Sequence, residues 1–219
     1  MLKSRALPRP PRLAVPLAVL ALTSVAGPAG AQGAPPLTDE QVVARANAYF
    51  NSMQTLTGDF LQMGGDGRRM AGKLYVQRPG RLRFEYQSPA TLEVVADGSS
   101  VAVRDRKLAT QDLYPISQTP LKFLTREKID LGRDVKITGV VRDPNSVSLR
   151  LEDRSTLGGT SKIALIFDRE VQALSEWRIT DPQGFSTSVS LANLDKTRPV
   201  DPKLFTINYE RMLGESSTR

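Results

Sequence analysis

Few side chains in this chain could do chemistry, because its 219 residues include no histidine and no cysteine. The usual general base, the usual nucleophilic pairs and the commonest zinc ligands are therefore missing. Only carboxylate chemistry remains, and the charged run Asp168-Arg169-Glu170 is typical of a solvated strand end or turn. The Gly-Gly-Asp-Gly run at residues 64–67 is typical of a hairpin tip rather than a phosphate-binding loop. The composition thus predicts no catalytic residue, no metal site and no cofactor, and it favours a binding protein over a carboxylate-only enzyme.

The first thirty-one residues have the features of a secretory signal peptide. Four basic residues and no acidic residue precede an almost wholly apolar run at residues 13–26, and Ala-Gly-Ala follows at residues 29–31. We therefore expect residues 1–31 to be removed and residues 32–219 to form a single domain in the periplasm; the alternative is a retained N-terminal anchor. Because no cysteine is available for acylation, we expect no lipid anchor on the protein itself.

The formal net charge of +7 at first suggests a polyanionic partner. Without the four basic residues of the signal peptide, the chain has 26 basic and 23 acidic side chains, a net charge of +3. So mild an excess is weak support for a polyanionic ligand, and we expect no nucleic acid partner.

Apolar periodicity predicts an N-terminal helix followed by an antiparallel meander of about ten strands. Thr38 and Gln41 form a capping box, and apolar residues recur at helical spacing as far as Met53. From about Leu56 the period changes to two, and turns rich in Gly, Pro and Asp separate the strands. The inward sets predicted for the last two strands are Ser175, Trp177 and Ile179, and then Phe185, Thr187, Val189 and Leu191.

A short second helix is predicted to interrupt the strands, because Thr119-Pro120 is a helix start signal. A sheet of about ten strands tends to curl or close, and two helices offer little material to fill it. The pattern is therefore compatible with a ligand cavity beneath the helices and equally with an ordinary packed β core.

The run from Gly72 to Pro89, GKLYVQRPGRLRFEYQSP, closely resembles the signature of the LolA-type outer-membrane lipoprotein carrier family. In that family a strand ending in Arg-Pro leads through a tight turn into an aromatic-containing strand that ends in Pro. The chain departs from the family pattern at Ala102, Arg104, Leu82 and Phe84, where other residues, mostly aromatic ones, are common. Weaker matches follow in the expected order: Phe60 with Gln62, Asp97-Gly98, Thr119-Pro120, and Phe205 after Asp201-Pro202.

The resemblance implies a mainly β fold with some α: one antiparallel, strongly curved sheet forming an incomplete, unclosed barrel, covered by the N-terminal helix and a short internal helical lid. It implies a monomeric periplasmic chaperone that shields the acyl chains of lipoproteins in an apolar cavity. The expected partners are acylated lipoproteins as cargo, an inner-membrane ABC transporter that supplies them, and an outer-membrane acceptor in lineages that use one. The alternative is a lipid- or lipoprotein-sensing periplasmic regulatory module of the same fold.

The resemblance also implies roles for individual residues. Arg78 is expected to latch the lid to the barrel by hydrogen bonds to helix carbonyls, since a guanidinium has five donors in a fixed fork; taken without the resemblance, it is an ordinary solvated arginine at a strand end. Phe50, Phe123 and Leu124 are expected to be lid residues, and simple core packing is the alternative for all the apolar residues named. The expected lining of the acyl cavity is Phe60, Leu74, Val76, Leu82, Phe84, Leu92, Val94 and Trp177.

Cleavage after Ala31 has a direct test. When the full gene product is expressed in a Gram-negative host, we expect the periplasmic form to begin at Gln32. Mass spectrometry of the intact periplasmic protein measures this, and a product that keeps residues 1–31 in the membrane fraction would support the retained anchor instead.

Overall fold

The computed structural model describes residues 35–210. The chain divides into two units, Met1–Pro35 and Pro36–Arg219, and the elements below belong to the second. The predicted signal peptide and its cleavage site lie outside the described residues. Within the described range, no helix is long and apolar enough to cross a membrane.

Helix α1 spans Asp39–Asn51 and begins at the predicted capping box. The Thr38 side chain accepts a hydrogen bond from the backbone N–H of Gln41 at 3.3 Å, and the Gln41 side chain accepts one from the backbone N–H of Thr38 at 2.9 Å. The helix ends two residues before the predicted Met53. Its buried face packs against the sheet. This packing stabilises α1 more than its intrinsic helix propensity does, because so short a helix is marginal in isolation.

Eleven antiparallel strands form one sheet in the order β6-β5-β4-β3-β2-β1-β11-β10-β9-β8-β7. β6 and β7 are the two edges, so the sheet is not closed into a barrel, and the predicted fold class is confirmed. The count exceeds the predicted number by about one strand. The strands are β1 Thr55–Gly64, β2 Arg69–Gln77, β3 Arg81–Tyr86, β4 Leu92–Asp97, β5 Ser100–Asp105, β6 Thr110–Pro115, β7 Lys136–Arg142, β8 Ser146–Thr156, β9 Gly159–Asp168, β10 Leu174–Thr180 and β11 Ser186–Asp195.

The connection from β6 to β7 is helical. It contains a 3-10 turn, Ile116–Gln118, and the single-turn helices α2, Lys122–Thr125, and α3, Leu131–Asp134. The helix predicted from Thr119-Pro120 is therefore present but shorter and slightly later. We call α1 together with residues 116–134 the lid.

The antiparallel register gives the sheet two distinct ends. The β2–β3 turn at residues 78–80 lies at the end where α1 leads into β1, which we call the lid end. The connections β1–β2, β3–β4, β5–β6, β8–β9 and β10–β11 lie at the opposite end, which we call the far end.

Two predicted inward positions in the last strands are wrong. A register shift between Leu174 and Glu176 interrupts the alternation of β10, so Leu174 is buried and Ser175 is exposed. Phe185 lies in the turn before β11 rather than in the strand, and its side chain is 72% exposed. Trp177 and Val189 are buried as predicted.

Gly72 of β2 provides a test of packing inside the sheet. A Cβ atom there would lie 2.1 Å from the carbonyl oxygen of Glu85 and 2.8 Å from Cε1 of Phe60. Such overpacking forces neighbouring groups to move, so we expect Gly72→Ala to lower the free energy of unfolding by about 1–3 kcal/mol. Gly139→Ala in β7 is the control, because a Cβ there meets nothing within 4 Å. Urea unfolding measures both, and equal effects would contradict the packing of Phe60 over Gly72.

Candidate functional site

Arg78 lies at the lid end, where β2 stops, and its side chain is only 7% exposed. Its guanidinium donates hydrogen bonds to four backbone carbonyl oxygens of the lid and the residues that follow α1. Nε donates to Arg126 at 2.6 Å and Nη2 to Glu127 at 2.8 Å, while Nη1 donates to Met53 at 3.2 Å. Nη1 also donates to Phe50, and Nη2 also donates to Arg126.

The position of these carbonyls explains why an arginine is suited to this place. The last carbonyls of a helix have no partner inside the helix, and the helix dipole makes that end negative. Phe50 is in the last turn of α1, and Arg126 is the C-cap of α2. α1 has no basic residue in its own last turn. One guanidinium from the sheet therefore satisfies the ends of two helices at once.

The turn that carries Arg78 touches the lid a second time. The backbone N–H of Gly80 donates to the carbonyl oxygen of Thr125 at 2.7 Å. Gly80 has φ +79, and a Cβ atom there would lie 2.5 Å from the Cα of Gly98. A glycine is required by both the left-handed conformation and the close approach of the neighbouring turn.

Two asparagines join the parts of the lid into one unit. Asn51 donates to the carbonyl oxygen of Ile129 at 2.7 Å and accepts from its N–H at 2.9 Å. Asn47, one helical turn earlier, accepts from the N–H of Leu131 at 2.9 Å. Because α1 and the α2–α3 segment are bonded to each other in this way, we expect them to move together.

A row of aromatic rings links the lid to the concave face of the sheet. Phe123 of α2 lies 5.9 Å from Phe50 of α1 and 5.8 Å from Trp177 of β10, measured between ring centroids. Trp177 lies 6.2 Å from Phe84, which lies 5.0 Å from Phe60. These edge-to-face contacts are favourable, yet none depends on a unique partner, since each ring offers a broad apolar surface.

The structure brings together nearly all the residues that the sequence predicted for the cavity and the lid. Leu92 differs, because it is only half-buried and lies toward the far end. The others pack against one another and against the lid rather than around open space. A slot beneath α2, beside Leu151 and Ile163, has a volume of about 10 Å³, room for at most one water molecule. The buried members of one continuous core are Phe50, Phe60, Leu74, Val76, Leu82, Phe84, Val94, Phe123, Leu124 and Trp177.

Burial shifts the pKa of two ionisable groups in this interior, Arg78 and Tyr86. Burial lowers the pKa of Arg78, but a guanidinium remains protonated at neutral pH. Burial raises the pKa of Tyr86, whose hydroxyl donates to Gln62 at 2.7 Å, so the phenol is neutral. The site can therefore bind apolar groups and position backbone.

Sequence reasoning missed a second polar tie between the lid and the sheet. Lys122 of α2 is buried with Asp153 of β8, and its Nζ lies 2.8 Å from Oδ1 and 2.6 Å from Oδ2. Nζ also donates to the hydroxyl of Ser155, which in turn donates to Asp153 at 2.9 Å. Lysine is usually solvated. Nothing in the local sequence distinguishes Lys122 except its place directly after the helix start signal.

Taken together, the fold and the site define a class: an unclosed β-barrel with a closely packed apolar interior, covered by helices that polar contacts hold at their ends. The family model for outer membrane lipoprotein carrier protein LolA matches residues 51–208. The chain belongs to this family.

Two relatives compared by sequence agree with this assignment. The outer-membrane lipoprotein carrier protein of Chromobacterium violaceum is 35% identical over 170 residues, which cover 74% of this chain and 81% of the relative. That of Methylococcus capsulatus is 27% identical over 171 residues, covering 74% and 81%. Among solved structures, a LolA superfamily protein from Nitrosomonas europaea aligns with a TM-score of 0.45 at 11% identity, covering 79% of this chain and 99% of that one.

The Lys122–Asp153 pair predicts an asymmetric response to substitution. Lys122→Met leaves a buried carboxylate without its counter-charge, so we expect a loss of about 3–5 kcal/mol in the free energy of unfolding. The double variant Lys122→Met/Asp153→Leu should recover most of that loss, because an apolar pair needs no charge compensation. Lys136→Met is the matched control, since Lys136 pairs with Glu152 at 3.3 Å on the surface and should change stability by at most about 1 kcal/mol.

The same pair predicts a pH dependence. Burial raises the pKa of Asp153, but hydrogen bonds from Lys122 and Ser155 outweigh it, and the net pKa is lower than usual. A carboxyl whose pKa is lower in the folded state stabilises fully above its unfolded pKa of about 4, and this contribution is lost as the pH falls through the folded value. We therefore expect Asp153→Asn to flatten the loss of stability below about pH 4 in denaturant titrations; an unchanged slope would contradict the pairing.

Proposed function

We propose that this protein is a periplasmic carrier that shields the acyl chains of lipoproteins between its lid and the concave face of its sheet. In this proposal it takes cargo from an inner-membrane ABC transporter and delivers it toward the outer membrane. Membership of the carrier family supports the cargo class. The observation that carries the proposal is the way the lid is held. Its apolar side chains pack on the apolar concave face of the sheet, and the buried Arg78 bonds the sheet to backbone carbonyls of the lid.

The function is physically reasonable because an acyl chain and the lid side chains bury similar amounts of apolar surface on the concave face. Shielding hydrocarbon from water is worth about 0.8 kcal/mol per methylene group, or on the order of 10 kcal/mol for a sixteen-carbon chain. Phe50, Phe123 and Leu124 now occupy the concave face, and burying three such side chains is worth roughly 5–9 kcal/mol. An acyl chain that displaces the lid thus exchanges one apolar contact for another of similar size. Cargo can therefore be bound without being trapped.

Arg78 would set the balance of that exchange. When the lid closes, its guanidinium satisfies the four carbonyls described above; when the lid lifts, those carbonyls need other partners. This stabilises the closed, empty state and so favours release of the acyl chain. Leucine at this position would keep the volume but leave the carbonyls unsatisfied, which shifts the balance toward the open, loaded state.

The test uses spheroplasts that retain newly made outer-membrane-type lipoproteins and carry the matching transporter. Added periplasmic wild-type protein should release a soluble one-to-one complex, measured by sedimentation and immunoblotting. Arg78→Leu should hold cargo but pass it to outer-membrane fractions at least about tenfold less well, a factor equal to about 1.4 kcal/mol in the lid equilibrium.

Arg81→Leu is the matched control for this experiment. Arg81 lies in the same hairpin and is exposed, and within residues 35–210 the one hydrogen bond of its side chain goes to the side chain of Gln77 at 3.2 Å. We expect it to release and transfer cargo as the wild type does. Failure of the folded wild type to release any lipoprotein would overturn the carrier proposal and favour the lipid-sensing module. Equal defects in both arginine variants would remove the special role of Arg78.

A further inference from the structure

The far end of the sheet exposes large apolar side chains at three turns. Leu108 of the β5–β6 turn is 68% exposed, Leu157 of the β8–β9 turn 56%, and Phe185 of the β10–β11 turn 72%. They are the three most exposed large apolar side chains among residues 35–210. Single exposed apolar residues need no explanation, whereas a shared patch often marks a contact surface.

The turn that carries Phe185 lies near each of the other two turns. A Cβ atom on Gly158, next to Leu157, would lie 3.0 Å from the side chain of Gln183 in the turn that carries Phe185. Phe185 and Lys107, the residue before Leu108, line one cleft of about 660 Å³. The three apolar tips therefore belong to strand connections at one end of the sheet, and the Leu157 turn also contacts the lid, since its backbone N–H donates to the carbonyl oxygen of Gln118 at 2.9 Å.

The exposed charged side chains near these tips are mostly basic. Arg106 and Lys107 are exposed on the β5–β6 turn, and Arg154 is exposed in β8, three residues before Leu157. The carboxylates at this end are used within their own turns: Asp105 accepts from the N–H groups of Lys107 at 2.8 Å and Leu108 at 3.2 Å. In the same way, Asp181 accepts from the N–H groups of Gln183 and Phe185, each at 2.9 Å, and Asp66 pairs with Arg68 at 2.5 Å.

We propose that this end, defined by Leu108, Leu157 and Phe185 with Arg106, Lys107 and Arg154, docks on the surface of a bilayer that contains anionic phospholipid. The apolar tips enter the headgroup region, and the basic side chains lie over the phosphates. Separate tips around an open cleft offer no continuous face for a folded partner, whereas a bilayer adapts to them. The inference deepens the proposed function by naming the surface at which the carrier meets a membrane.

The test is flotation of the cargo-free periplasmic protein with vesicles at low ionic strength. Binding to vesicles of phosphatidylethanolamine with phosphatidylglycerol should exceed binding to phosphatidylcholine vesicles by at least about tenfold, and should weaken as salt is added. Replacing Leu108, Leu157 and Phe185 together by Ser should lower binding to anionic vesicles about tenfold or more. Replacing Arg106, Lys107 and Arg154 together by Gln should abolish the preference for anionic vesicles.

The matched control changes two exposed side chains with large apolar surfaces away from the far-end turns. Leu61 lies inside β1 and is 45% exposed, and Tyr209, which donates to Asp97 at the lid end of β4, is 44% exposed. Replacement of both by Ser should leave vesicle binding unchanged. Circular dichroism confirms that each variant is folded. Wild-type protein that floats with neither vesicle, or an equal loss in the control, would overturn the proposal. Because no cargo is present, that result would leave the carrier function standing.

Discussion

The structure depends on one buried cation that has backbone carbonyls as its partners. The guanidinium of Arg78 joins the end of β2 to the C-terminal ends of α1 and α2, and these are the places where helices leave carbonyls unpaired. Apolar contacts alone would not specify where the lid sits, because aromatic rings slide over one another at little cost. The directed hydrogen bonds give the lid a definite closed position, while the carbonyls remain able to bond to water when it opens.

The other polar contacts of the lid are consistent with a lid that moves as one body when an acyl chain displaces it. Asn47 and Asn51 bond α1 to the α2–α3 segment, so the two parts are expected to move as one body. The Lys122–Asp153 pair bonds the same body to β8, which lies in the other half of the sheet from the strand that carries Arg78. Such a buried pair contributes little net stability but penalises any lid position that separates the charges. The two polar ties therefore define a closed state from opposite sides of the barrel.

Sequence reasoning predicted the strands and the helix cap because each has a local signature, alternation and a capping box. The latch role of Arg78 was implied only by the resemblance of its Arg-Pro-Gly hairpin to the carrier family; without that resemblance it was an ordinary solvated arginine. Sequence reasoning could not predict which carbonyls Arg78 meets, since Phe50 and Arg126 are far from it in sequence and their approach depends on the whole sheet. Lys122 was missed because its partner Asp153 is on a distant strand. The interpretation of Phe185 as inward was wrong because strict alternation was extended to the residue before Ser186, where β11 starts.

The most direct test of the central claim, that acyl chains replace the lid side chains on the concave face, is a photo-crosslinking experiment. Cargo lipoprotein labelled with a photoactivatable fatty acid would be loaded on the carrier, irradiated and mapped by mass spectrometry. The account predicts adducts at Phe84, Phe123 and Trp177, which line the interior in the closed state. Adducts confined to the convex face, at Leu61 and Met63, would contradict it.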